Sequence, residues 1–191
     1  MKTFWKNRVV VISVLLAMTA AGSASAAAAG DTPRVARNTI VIAEKNLDNR
    51  FTRLWTDNQF AVLGSTRGVY LEGYGVVFTT EVNLVTAPVL GIVPIAVTKD
   101  GIAQHKKTKR ERIPDLKRAL QQALVEMAAS KEMAAVPLDE QIVVVAFLSH
   151  YPWEDLDGLP AEIMMQGSKK KLMEAQHTGA GLEAVIQSAQ F

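Results

Sequence analysis

GVYLEGYGVVFTTEVNLV, residues 68–85, puts three glycines in its first eight positions and then a strongly β-forming run. A dinucleotide loop would require Gly-x-Gly-x-x-Gly between a strand and a helix, so that the pyrophosphate meets helical N–H groups. Here Phe78 stands where the third glycine belongs, and a strand pattern follows instead of a helix. No Gly-Lys-Ser/Thr completes a P-loop either. The glycines therefore read as a tight turn, with Gly73 and Gly75 supplying backbone that other residues adopt poorly. In the second arm Val76, Phe78, Thr80, Val82 and Leu84 alternate with Val77, Thr79, Glu81 and Asn83, giving one core face and one open face. Tyr70 and Tyr74 flank the turn as candidate binding residues, since an aromatic body with a polar tip suits a binding surface.

Upstream, apolar residues at Ile40, Ala43, Leu47, Phe51 and Leu54 recur at helical spacing, with Asn38 as the expected N-cap. Residues 59–66 read as a short strand. Downstream, VTAPVLGIVPIAV (85–97) is uncharged but interrupted by Pro88, Gly91 and Pro94, which predicts an edge strand or a buried irregular loop. Positions 99–112, KDGIAQHKKTKRER, hold six basic and two acidic residues and read as a basic loop. A helix is expected next, with Pro114 in its first turn and a stripe of Leu116, Leu120, Ala123, Leu124 and Met127. QIVVVAFLS (141–149) predicts a central strand covered on both faces, and AEIMMQG a further strand. Ser168 is expected to cap a short helix, and a last helical piece is expected near Leu182–Ser188.

The N-terminus has the pattern of an export signal. Lys2, Lys6 and Arg8 precede 13 uncharged residues (9–21), and Ala24-Ser25-Ala26 fits a cleavage site, so residues 1–26 read as a signal peptide and 27–37 as a flexible leader. Three of the 21 basic residues lie in that signal and none of the 19 acidic ones does. The remainder, 18 against 19, carries a net charge of −1. No global affinity for nucleic acid follows from such a balance. The expected location is periplasmic or secreted. There is no cysteine, so disulfides, a thiol nucleophile and Cys-ligated zinc are excluded.

The chemistry-bearing residues are sparse. His150, Glu154 and Asp155 follow the expected central strand and form the candidate catalytic group, because strand ends collect ligands in many α/β folds. No His-Glu-x-x-His or His-x-x-x-His occurs, and no metal or cofactor is expected. Lys106, Lys107, Lys109 and Arg110, beside Ile92 and Ile95 of the uncharged stretch, form a second candidate contact surface. An apolar loop next to a basic one can dock on another envelope protein or dip into an anionic membrane.

TRGVYLEGYGVVFTTEVNLV, the helix IPDLKRALQQALVEMA and the strand QIVVVAFL, in that order, resemble a group of exported bacterial proteins of unknown function. The resemblance implies one exported domain and carries no activity. The expected fold over residues 38–191 is a single α+β domain: a mixed or antiparallel sheet of about four to six strands with helices on one face. The expected function is a non-enzymatic binding or scaffolding module of the envelope. The alternative is a hydrolase around His150, which needs His150 to converge with Glu72 or Glu81.

Overall fold

In the computed structural model the described residues are 35–55, 60–87, 89–90, 93–94, 97–178 and 181–191. The signal, most of the leader, Ile92 and Ile95 lie outside them. The chain forms helix α1 (Arg37–Phe51), strands β1 (Ala61–Val62), β2 (Arg67–Leu71) and β3 (Gly75–Asn83), and a two-stranded ribbon of β4 (Val89–Leu90) and β5 (Val93–Pro94). Helix α2 (Lys99–Ala129), strands β6 (Gln141–Leu148) and β7 (Glu162–Ser168), helix α3 (Lys169–Thr178) and strand β8 (Gln187–Gln190) complete it. Six strands make one mixed sheet in the order β1-β3-β6-β7-β8, with β2 also on β3. Among the described residues only β3 and β6 run parallel, from Gly75 opposite Gln141 to Val82 opposite Leu148. The helices pack on one side. This is the α+β domain that the alternating residues predict.

The opening stretch is a hairpin. β2 and β3 pair antiparallel from Arg67 opposite Thr79 to Leu71 opposite Gly75. Gly73 and Gly75 have φ of 77° and 132°, in the region where a side chain is strained. Gly75 has a second constraint, because a Cβ there would lie 1.9 Å from the Gln141 carbonyl oxygen of β6. The glycine thus lets the turn close and lets the hairpin reach its parallel neighbour.

The core lies between the sheet and the helices. Val76, Phe78 and Val82 of β3 meet Ile142, Val144 and Ala146 of β6, with Ile163 and Met165 of β7 beside them. Ile40, Ala43, Leu47 and Phe51 of α1 and Leu116, Leu120 and Leu124 of α2 cover them. Polar contacts fix the register of α1: Glu44 accepts from the Gly68 N–H at 2.7 Å, and Asp48 from the Thr66 N–H at 2.8 Å.

Six expectations need correction. The basic stretch is not a loop: residues 99–112 are the first half of α2, capped by Thr98, whose side chain accepts from the Gly101 N–H at 3.1 Å. Pro114 consequently lies inside the helix rather than in its first turn. The described residues of the run 85–97 give the main sheet no edge strand: Val89–Leu90 and Val93–Pro94 pair as their own ribbon, and 88, 91–92 and 95–96 lie outside the described residues. β6 is covered on both faces only in its first half: Val143 is buried, but beyond it, on the same face, Val145 is half-buried and Phe147 exposed. Finally, Leu182–Ala184 form a single 3-10 turn, and β8 then pairs with β7, where Ile163–Gln166 offer a free ladder edge. The N-cap of α1 is Ala36, two residues before Asn38, and it has no side-chain bond.

Two glycine variants separate the two constraints on the hairpin. Gly73→Ala has open space around its Cβ and should cost about 1–2 kcal/mol, the strain of left-handed backbone alone. Gly75→Ala adds the clash with β6 and should cost more than about 4 kcal/mol. Urea denaturation checks both. Equal losses would show that the β6 contact does not constrain residue 75.

Candidate functional site

The candidate groups read from the sequence are largely partners of one another. α2 extends past the end of β6, so that its basic half lies beside the loop 149–160. Lys109 donates to the Ser149 carbonyl at 3.0 Å and to Glu154 Oε2 at 2.5 Å. Glu154 Oε1 accepts from the Tyr151 N–H of its own loop at 2.9 Å, and its side chain is 2% exposed. Lys106 pairs with Asp155 at 2.6 Å, and Arg110 donates to the Asp157 carbonyl at 3.0 Å. Arg112 donates to the Leu84 carbonyl and lies over the Trp55 ring. The Lys106 ammonium beside Asp155 holds that carboxyl below the usual aspartate value. Lys107 remains exposed, 4.0 Å from Glu111 on the same helix. The basic run that suggested an anionic surface is spent mainly on an acidic loop.

His105, one turn before Lys109, is the buried histidine of this cluster. Trp153 meets it edge-on at 4.9 Å, and Tyr151 stacks on Trp153 at 5.3 Å. Its Nε2 lies 3.3 Å from Glu154 Oε1 but off the angle of a hydrogen bond, so the atom is buried with that carboxylate beside it and no hydrogen-bond partner among the described residues. Burial pushes the His105 pKa below 6.5. Glu154 pulls it back up and Lys109 pushes it further down. Spacing gave no hint of this residue, because its partners are about 50 positions away.

His150 is exposed at the mouth of the loop. Glu72 lies in the β2–β3 turn, at the far end of the sheet. Eight steps of β3 separate the two ends, roughly 26 Å at about 3.3 Å per residue, so Glu72 does not converge on His150. Glu81 is nearer, opposite Phe147 in the register, and points to the open face. The two tyrosines also part. Tyr70 faces the helix side and donates to Glu140 Oε1 at 3.1 Å, and burial, ahead of Glu140 and Glu72, raises its pKa. Tyr74 stands on the opposite side, donating to Gln166 Oε1 at 3.4 Å.

The open face of the sheet is what sequence reasoning undervalued. Val69 is 50% exposed, Leu71 45%, Tyr74 43% and Phe147 43%, and Leu63 follows at 39%. Val77, Val145 and Met164 lie half-buried between them. The alternation in β3 announced this face, but the Val-rich β6 read as covered on both sides. Comparison of the chain with family models, with curated proteins and with solved structures gives no match.

The His105 cluster makes a pH prediction. A histidine whose pKa is lowered by folding leaves the unfolded chain binding the extra proton. Stability is therefore full above pH 6.5 and is lost as the pH falls from there toward the lower, folded value. His105→Phe should flatten that region of the profile, measured as urea midpoint against pH. A midpoint that is already flat between pH 7 and 5 in the unaltered protein would contradict it.

Proposed function

We propose that this chain is an exported, non-enzymatic binding or scaffolding protein of a bacterial envelope that works through the open face of its sheet. The observation that carries the reading is a row of apolar side chains on the face away from the helices, with exposed Val69, Leu71 and Tyr74 toward the hairpin end, exposed Phe147 toward the other, and half-buried Val77 and Val145 between them. Scattered exposed apolar residues are ordinary on a protein surface, whereas a contiguous group marks contact. The rival reading, a hydrolase around His150, has less support. Its nearest acidic partners in the sequence, Glu154 and Asp155, are already bonded to Lys109 and Lys106.

The occupant of the face is the same face of a second copy. Five strands spaced by about 4.8 Å, each of about seven residues, make a face of roughly 550 Å². Two such faces bury on the order of 1,100 Å², above the ~1,000 Å² expected of a specific interface. Val77, Val145 and Met164 form an uncharged centre, and Arg67, Glu81 and Glu162 lie around it. An apolar core within a polar rim is the usual anatomy of an interface. Two twisted sheets stack face to face about 10 Å apart, which would seat these side chains against one another.

Sedimentation velocity on the chain beginning at Ala27 tests this. A concentration-dependent dimer is expected, and Val69→Lys with Phe147→Lys, both at exposed positions, should return it to monomer. A chain that remains monomeric at about 100 μM, a concentration that would reveal even weak association, overturns the self-stacking reading.

Export rests on the N-terminal pattern. Among the described residues no helix is long and apolar enough to cross a membrane. The intact mass of protein recovered from an envelope or culture fraction should correspond to a start near Ala27. Recovery of the full-length chain alone, in the cytosol, would defeat the export reading.

A further inference from the structure

The loop 149–160 and the basic half of α2 hold one another with little help from the core. The buried residues of 99–112 are His105, Lys109 and Arg112, all polar, and none of residues 149–160 belongs to the hydrophobic core. The ends of the loop are fixed to the sheet, where the Leu148 N–H donates to the Ala161 carbonyl at 2.8 Å and the Ser149 N–H to the Val82 carbonyl at 2.9 Å. Its middle rests on the ion pairs to α2, on the rings around His105, and on the Tyr151 hydroxyl, which accepts from the Ala87 N–H at 3.1 Å. Between Lys109 and the loop's Leu156 and Leu159 a cavity of about 40 Å³ is left. A segment with few apolar contacts opens before the rest of a domain does.

His105 sits at the centre of this contact, 7% exposed, with no hydrogen bond to its Nε2 among the described residues. The ionisable groups facing it are Glu154 and Tyr151 from the loop and Lys109 from its own helix. The Lys106–Asp155 pair and Arg110, bonded to the Asp157 carbonyl, lie further out. Glu154 is the one buried carboxylate of the group, and both its oxygens are taken: Oε1 by the Tyr151 N–H and Oε2 by Lys109. A proton on His105 would set two buried cations against that single carboxylate. Attraction to Glu154 offsets part of the cost, but burial and the Lys109 ammonium outweigh it, which is why the imidazole holds its proton less firmly than a free histidine.

We infer that His105 is the latch of a pH-sensitive clasp: on its protonation the loop 149–160 parts from the basic half of α2, while the sheet and its core stay folded. In the open form the imidazolium, the ammonium and the carboxylate all regain water, so the excess positive charge is hydrated. The second half of α2, from Leu116 onward, packs on the sheet and does not depend on the loop. Opening uncovers the Tyr151–Trp153 stack beside Lys106, Lys109 and Arg110, a surface that the closed form does not present.

The sign follows from linkage. Above about pH 6.5 His105 is neutral in both forms and the clasp is closed. Below it the open form takes the proton at the ordinary histidine value and the closed form at a lower one. The open-to-closed ratio therefore rises by up to about tenfold per pH unit, until the closed form protonates as well. Asp155 stays charged through this range, because Lys106 holds its carboxyl below the usual aspartate value.

Acrylamide quenching of Trp153 tests the clasp, on the chain beginning at Ala27 with Trp55→Phe, which leaves one tryptophan. From pH 7.5 to 5 the quenching constant should rise at least about threefold while the far-UV circular dichroism stays that of the folded domain. His105→Phe should abolish the rise. A readout that keeps residue 105 intact comes from His150→Gln with His177→Gln, where His105 is the sole histidine. There the rise should persist, and the ring protons of His105 should titrate with the midpoint of the quenching. Unchanged quenching between pH 7.5 and 5, a rise retained in His105→Phe, a ring titration with a different midpoint, or loss of the whole circular dichroism signal along with the quenching change would each overturn the inference.

Discussion

The parallel pairing of β3 with β6 is the constraint from which the rest of the molecule follows. Antiparallel neighbours can be joined by a short turn, but parallel ones need a crossover long enough to carry the chain back along the sheet. Here that crossover is α2, preceded by the small β4–β5 ribbon. Because α1 and α3 lie on the same side, the helices cover one face of the sheet, and the other carries no helix among the described residues. The hairpin glycine at residue 75 belongs to the same constraint, since β6 enters the sheet against its backbone.

α2 is longer than the crossover requires. Its 31 residues extend about 46 Å at ~1.5 Å each, whereas the eight residues of β6 cover about 26 Å. From Arg112, which bonds the backbone just beyond β3, to Ala129 the helix matches the strand. The excess is the basic half, and it projects beside the loop that leaves β6. A helix with no core to pack on needs another partner, and Glu154, Asp155 and the loop carbonyls provide one. The Lys109–Glu154 pair at its centre is buried, so the gain from attraction is largely offset by lost hydration. Its contribution is to position: removing either charge alone would leave the other buried and unpaired.

The same physics explains what the sequence could show. Turn glycines, strand alternation and the stripe from Leu116 to Met127 are local patterns, and each marks an element that exists. Residues 99–112 carry no apolar stripe, and Pro114 imitates a helix start, so their helix was hidden. What holds that half is an acidic loop more than 40 positions away, and no periodicity records it. β8 was hidden for a similar reason: QSAQ has no hydrophobic signal and is a strand because β7 offers it an edge. Among the site candidates, the residue types at 150–155 were legible as a polar cluster. Their pairing with Lys106 and Lys109 was not, and neither was the buried His105.

The other end of the crossover is closed by a different use of the same residue type. Lys169, at the start of α3, is buried, and its ammonium donates to the carbonyls of Met133 and Val136 at 2.6 and 2.7 Å. Burial pushes its pKa below the ordinary lysine value. These carbonyls belong to the turn that brings the chain from α2 back to β6, where a helix has ended and its acceptors lack donors. One buried lysine thus ties the basic half of the long helix to the loop after β6, and another ties the turn after that helix to the start of α3. A chain without cysteine has no covalent means of fixing such ends. Two lysines whose charge cannot be left without acceptors in the interior hold them instead, and the crossover is positioned at both ends by the cost of burying an ammonium unpaired.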